Sequence, residues 1–157
     1  MLCLNKINKV FNAGTVDENR LFSDFSLTVN DGEFVAIVGS NGSGKTTLLN
    51  MVCGTLLPDS GSITFGNTDI LKLPEYKRAR MIGRVLQSPQ MGSCGSLTIL
   101  ENMALADNKN RPFNFAPAVN RQREEFYKTL LETCKMGLEN RMGVLAGSLS
   151  GGQRQAL

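Results

Sequence analysis

The stretch "FVAIVGSNGSGKTTLLN", residues 34–50, constrains this chain more than any other. Its first five residues form a short apolar run with the length and β-branched content of a buried strand. The run passes into a turn that fits GxxxxGK[ST] with Gly39, Gly44, Lys45 and Thr46. "KTTLLNMVCG" then reads as a helix that closes on Gly54, a C-terminal cap. Strand, glycine-rich turn and helix in this order turn a pattern into a physical expectation. Successive amides from Asn41 to Thr46 face inward as an anion nest, and the helix N-terminus adds partial positive charge. Gly42 and Gly44 give the backbone conformations and approaches that a Cβ forbids. The phosphate-binding candidates are therefore Gly39, Ser40, Asn41, Gly42, Ser43, Gly44, Lys45, Thr46 and Thr47. Here the Lys45 ammonium reaches the outer phosphates, and the Thr46 hydroxyl is a ligand for Mg²⁺. The turn alone does not choose among kinases, GTPases, helicases and transport ATPases.

Composition narrows the field by exclusion. A chain of 157 residues suits one domain of ordinary size. Its net charge of +3 comes without a long basic stripe, so no nucleic-acid partner is expected. Cys3, Cys53, Cys94 and Cys134 stand far apart and form no CxxC pair, which argues against zinc and for a reduced chain. "MLCLNKINKV" is broken by Asn and Lys and does not read as a signal peptide. The tightest apolar run is far short of a membrane span, so if the protein works at a membrane, another component crosses it.

The first third is expected to be strand-rich. "LCLNKINKVF" and "LFSDFSLTV" read as half-buried strands separated by the polar surface loop "NAGTVDENR". "LPDSGSITFGN" reads as turn, strand, turn. "PEYKRARM" reads as a short exposed helix and "IGRVLQ" as a further strand. Beyond Ser88 the pattern becomes helical. Thr98 and Glu101 make a capping box ahead of "NMALA". Phe126, Leu130, Leu131 and Cys134 recur at helical spacing. The segment from Asp107 to Arg123, with Lys109, Arg111, Arg121 and Arg123, reads as a solvated variable loop.

Two further features choose among the classes. Gln87 ends "IGRVLQ", and residues 149–157 read "LSGGQRQAL". Phosphate loop, strand-terminal glutamine, helical segment and LSGGQ, in that order, resemble the nucleotide-binding domain of ATP-binding cassette (ABC) proteins, and the resemblance runs over the whole chain. "NAGTVDENR", "EYKRARMIGRVLQSP", "ENMALA" and "GLENRM" are further similar to a branch of bacterial importer ATPases associated with predicted amino-acid uptake. The resemblance implies an α/β fold of the P-loop NTPase, ABC type. Residues 1–87 would form the N-terminal part of the RecA-like core with an antiparallel β subdomain. Residues 88–157 would form the helical subdomain, ending at the signature.

The same resemblance implies ATP and Mg²⁺ as the bound species. Ser150 stands where a helix N-cap belongs, ahead of Gly151 and Gly152. In the family, Leu149, Ser150, Gly151, Gly152 and Gln153 would cover the γ-phosphate held by the phosphate loop of a second subunit, packed head to tail. Gln87 would touch Mg²⁺, beside Thr46, and the attacking water; an ordinary polar strand end is the alternative. Phe11 in "KVFN" matches the aromatic that stacks on adenine, with Phe22 and Phe25 as competitors and a core role as the plain alternative. A groove from Ser88 to Met103 would receive a short helix of a transmembrane permease subunit, unless that stretch is only a solvated loop and helix. A substrate-binding protein would complete an importer. The subunit would sit peripherally on the cytoplasmic face of the plasma membrane.

One departure from the family matters. After LSGGQ the family has an apolar strand ending in Asp and Glu, and later a histidine. This chain contains no histidine, and no upstream carboxylate follows a buried strand in the required order. It is therefore expected to be incomplete at its C-terminus and to lack hydrolysis by itself. Parallel strands without their neighbours would expose apolar surface, which makes the chain marginal or aggregation-prone. Two alternatives stand beside a transporter ATPase: a soluble ABC ATPase of translation or DNA repair, and a non-catalytic nucleotide-binding fragment.

Overall fold

The computed structural model describes residues 1–110 and 117–157, which divide into two compact units, Met1–Gly83 and Arg84–Leu157. Arg111 lies outside the described residues.

In the first unit, alternating patterns become a four-stranded antiparallel sheet in the order β2-β1-β3-β4. The strands are β1 (Leu2–Phe11), β2 (Asn19–Val29), β3 (Ser60–Phe65) and the short β4 (Thr68–Asp69). The first two expected strands are present and pair antiparallel, with β2 beginning two residues earlier than its apolar pattern suggests. Helix α1 (Lys45–Cys53) closes on Gly54 at φ 94°, as the C-cap expectation requires. Leu4, Ile7, Phe22, Leu48, Met51, Val52, Ile63 and Ile70 make one buried cluster under the sheet and helix. A short helix α2 (Glu75–Arg78) follows a 3-10 turn at Ile70–Lys72.

Two expected strands do not form. Residues 33–40, which contain "FVAIV", are irregular and exposed: Phe34 is 93% and Val38 91% accessible. "IGRVLQ" likewise has no strand pairing, and Val85 is exposed. The reason is cooperative. A buried parallel strand needs a ladder on its flanks and apolar cover on its faces, and the described sheet supplies neither to these segments. The reading of "PEYKRARM" as exposed also needs correction, because Arg78 is buried to 1% accessibility.

The second unit is helical. It contains α3 (Pro89–Gly92), α4 (Ile99–Asp107), α5 (Glu124–Glu132) and α6 (Gly151–Ala156). The Thr98–Glu101 capping box is formed in both directions. Ile99, Ala104, Tyr127, Leu131, Leu138, Met142, Ala146 and Leu149 make its core. The buried face of α5 is therefore Tyr127 and Leu131, whereas Phe126 and Leu130 are exposed. Spacing identified the helix and, in Leu131, one residue of its buried face, but it missed Tyr127 and wrongly included Phe126 and Leu130. Tyr127 tolerates burial because its hydroxyl donates to Asp107 at 3.1 Å, and Arg123 pairs with the same carboxylate.

Candidate functional site

The phosphate loop is organised by Lys45. Its ammonium donates to the carbonyls of Gly39 (2.8 Å) and Ser40 (2.6 Å) and lies 3.4 Å from the Ser43 hydroxyl. One cation therefore gathers the loop that precedes its own helix. Gly44 occupies the N-cap of α1 at φ 91°, and no side chain caps the first turn. No acidic residue stands in that turn either. The leading amides and the positive end of the helix are thus presented without a competing carboxylate. Two glycines sit in close quarters. A Cβ on Gly44 would meet Phe22 at 2.9 Å and Leu21 at 3.0 Å, and one on Gly39 would meet the Ser43 Oγ at 2.6 Å. Asn41, Gly42, Ser43 and Thr46 are exposed, and Thr47 is half-buried. The exposed Thr46 hydroxyl beside uncapped amides is the donor set a magnesium–triphosphate group needs.

At the end of β1, Phe11 is half-buried. Of its competitors, Phe22 belongs to the core and Phe25 packs against it, their rings 5.2 Å apart. Phe11 thus retains the freer ring of the three.

In the second unit, Leu149 is anchored in the core, and Ser150 caps α6. The Ser150 Oγ accepts from the Gln153 amide, and the Gln153 side chain accepts from the Ser150 amide, each at 3.3 Å. The Ser150 hydroxyl proton remains free to donate elsewhere. Gly151 and Gly152 are exposed, with at most a distant Met136 methyl near them, so the backbone there is open to a large ligand. Gln87 is exposed and lies in a bend before α3.

Sequence reasoning missed what holds this region together. Arg154 donates from Nε to the Ser93 Oγ (2.8 Å) and from Nη2 to the Ser93 carbonyl (3.0 Å). Gln155 donates to the Leu86 carbonyl at 3.4 Å. The helix that follows Ser150 is thereby tied to the stretch on either side of Gln87. No local pattern announces such a contact, since its partners lie more than sixty residues apart in sequence.

The stretch from Ser88 to Met103 borders an open groove of about 560 Å³, with Met91, Cys94, Asn102, Leu105 and Lys109 in its lining. Met91 and Leu105 are exposed. Asn102 shapes the groove wall: its amide nitrogen donates to the carbonyls of Cys94, Leu97 and Thr98, and its oxygen accepts from the Cys94 amide. The Ser96 hydroxyl and amide hold the exposed Cys94 thiol below its ordinary pKa, with a smaller contribution from Arg154. No helix among the described residues is long and apolar enough to cross a membrane.

Comparison with known proteins agrees with this architecture. A family model described as "ABC transporter" matches residues 22–157. A tyrosine transport ATP-binding protein of Clostridioides difficile is 40% identical over 157 residues, covering 100% of this chain and 62% of that protein. A thiamine import ATP-binding protein of Shigella sonnei is 40% identical over 131 residues, covering 83% of this chain and 51% of its own length. The chain thus spans between half and two thirds of the curated relatives it matches. Among solved structures, the ADP conformation of MJ1267, an ATP-binding cassette of an ABC transporter, superposes with a TM-score of 0.76 at 30% identity, covering 99% of this chain and 61% of that one. The dimeric post-hydrolysis state of the cassette MJ0796, bound to ADP and Pi, also gives 0.76, at 25% identity, with coverage of 100% and 69%.

Proposed function

The chain belongs to the ABC transporter family, and from that premise we propose that it is part of the ATP-binding subunit of an importer. The whole subunit binds MgATP, pairs head to tail with a second copy, and couples ATP hydrolysis to solute passage through separate membrane subunits. The observation that carries this reading is the Lys45-gathered loop leading into the uncapped α1. Gly39 to Thr47 bind the phosphates, and Phe11 offers its ring to the base. When bound, Mg²⁺ neutralises phosphate charge, and Thr46 is the residue of this loop that would hold it.

Leu149 to Gln153 form the second anion site, which acts on a triphosphate held by the partner copy. The capped and open start of α6 supports that role. The groove beside Met91 and Leu105 receives a short permease helix, and its mixed apolar and polar lining supports the assignment. In this reading the subunit sits peripherally at the cytoplasmic face of the membrane, with a substrate-binding protein as the further partner. The relatives named for tyrosine and thiamine transport support import of a small solute.

Residues 1–157 hold nucleotide without turning it over, because they contain no histidine and no carboxylate placed after a buried strand to activate water. Titration of the purified chain with MgATP tests the proposal. Saturable binding that Lys45→Ala abolishes is the expected result. Equal binding by both proteins overturns it, and hydrolysis above the Lys45→Ala background overturns the assignment of inactivity.

A further inference from the structure

We infer that Lys9 and Asp59 are a positioning pair that holds the Phe11 ring for a purine base; this rests on the reading of Phe11 as the base platform. Lys9 and Phe11 are two residues apart on β1 and so share one face of the strand. The Lys9 ammonium stands over the Phe11 ring, 5.5 Å from its centroid. A surface lysine ordinarily keeps its charged end in water. Here the side chain is only 13% exposed, because the Asp59 Oδ1 accepts from Nζ at 2.7 Å. The other oxygen of the same carboxylate accepts from the Val10 amide, also at 2.7 Å, and the Asp59 amide donates to the Asn8 carbonyl at 2.9 Å. One residue, fifty positions away, therefore fixes both the cation and the backbone between it and the ring. The Lys9 and Val10 hydrogen bonds also keep the Asp59 carboxyl below its usual pKa, so the clamp stays charged through the neutral range.

The chemistry follows from the ring's quadrupole. A cation over one face of phenylalanine is attracted by the negative π cloud and draws density toward itself. The opposite face then meets an electron-rich purine with less repulsion, and the ring is held before the base arrives. Lys9 and Asp59 touch neither the base nor the phosphates in this scheme. They act through Phe11 alone, and their effect is confined to ligands that carry a base.

The test compares binding of MgATP with binding of magnesium tripolyphosphate, by calorimetry, to the 157-residue chain and to Lys9→Met, Lys9→Arg and Phe11→Ala variants. Lys9→Met is expected to weaken ATP about two- to fivefold, an indirect effect bounded by the roughly 0.5–1 kcal/mol of a weak cation–π contact. Tripolyphosphate binding should not change, and Lys9→Arg, which keeps a cation over the ring, should restore ATP affinity. Unchanged ATP binding in Lys9→Met overturns the inference. So does an equal loss for both ligands, which would mean that the charge acts on the phosphates. A Phe11→Ala variant with an unaltered ratio of ATP to tripolyphosphate affinity defeats the underlying platform reading instead. A wild-type chain that binds neither ligand removes the premise altogether.

Discussion

The Arg78 guanidinium donates from Nη1 to the carbonyl of Met51 at 2.8 Å, inside the last turn of the phosphate-loop helix. Its Nε donates to the Leu73 carbonyl at 2.9 Å, and Nη2 lies 3.4 Å from that of Leu71. A buried positive charge thus sits at the negative end of α1 and satisfies carbonyls that the helix cannot pair internally. Burial lowers the guanidinium pKa, and Asp69 opposes that shift.

Replacing Arg78 with Met should destabilise the first unit by about 2–4 kcal/mol, because several buried carbonyls lose their donor. Arg78→Lys should recover only part of this, since one ammonium cannot span carbonyls that the planar fork reaches together. Urea midpoints of the three proteins check the ordering, and wild-type stability in Arg78→Met would refute it.

The phosphate loop offers a matched pair of glycine substitutions. Both Gly42 (φ 83°) and Gly44 (φ 91°) lie in the left-handed region, so alanine at either is strained by roughly 1–2 kcal/mol. Only at Gly44 does the added Cβ also meet Phe22 and Leu21. Gly44→Ala should therefore cost more than Gly42→Ala, by roughly 1–3 kcal/mol of overpacking. Denaturation curves of the two variants decide the matter, and equal costs would remove the role given to the Phe22 contact.

Loss of the Ser150 cap should be read locally. Ser150→Ala removes the acceptor of the Gln153 amide and should cost α6 about 1 kcal/mol. Amide exchange at Gln153 should accelerate about fivefold, with Ser150→Asp close to wild type. Unaltered exchange in the alanine variant would deny the cap.

Acid should weaken the second unit partly through Glu101. The amide and hydroxyl of Thr98 hold its carboxyl below the ordinary value. The contribution is therefore complete at neutral pH, and it is lost as the pH falls through the lowered folded-state pKa. Glu101→Gln keeps the capping geometry without titrating, so its melting temperature should fall less steeply below about pH 4. Parallel acid limbs for the two proteins would contradict this.

What sequence alone determined is what closes within a few residues. The loop from Gly39 to Thr47, the C-cap at Gly54, the box at Thr98–Glu101 and the N-cap at Ser150 were legible because their hydrogen bonds span three to six positions. The alternation in β1 and β2 was legible for a similar reason, since period two requires a strand with one buried face. Tertiary structure decided the rest. "FVAIV" has strand composition, yet it pairs with nothing described, because a ladder needs neighbours that no local pattern can supply. The face of α5 turned on where Asp107 and Arg123 could meet Tyr127. The hold of Arg78 on Met51, the grip of Arg154 on Ser93, and the clamp of Asp59 on Lys9 each join residues at least twenty-seven apart. Such contacts depend on which distant atoms folding brings together, and the free energy that selects them comes from the whole core.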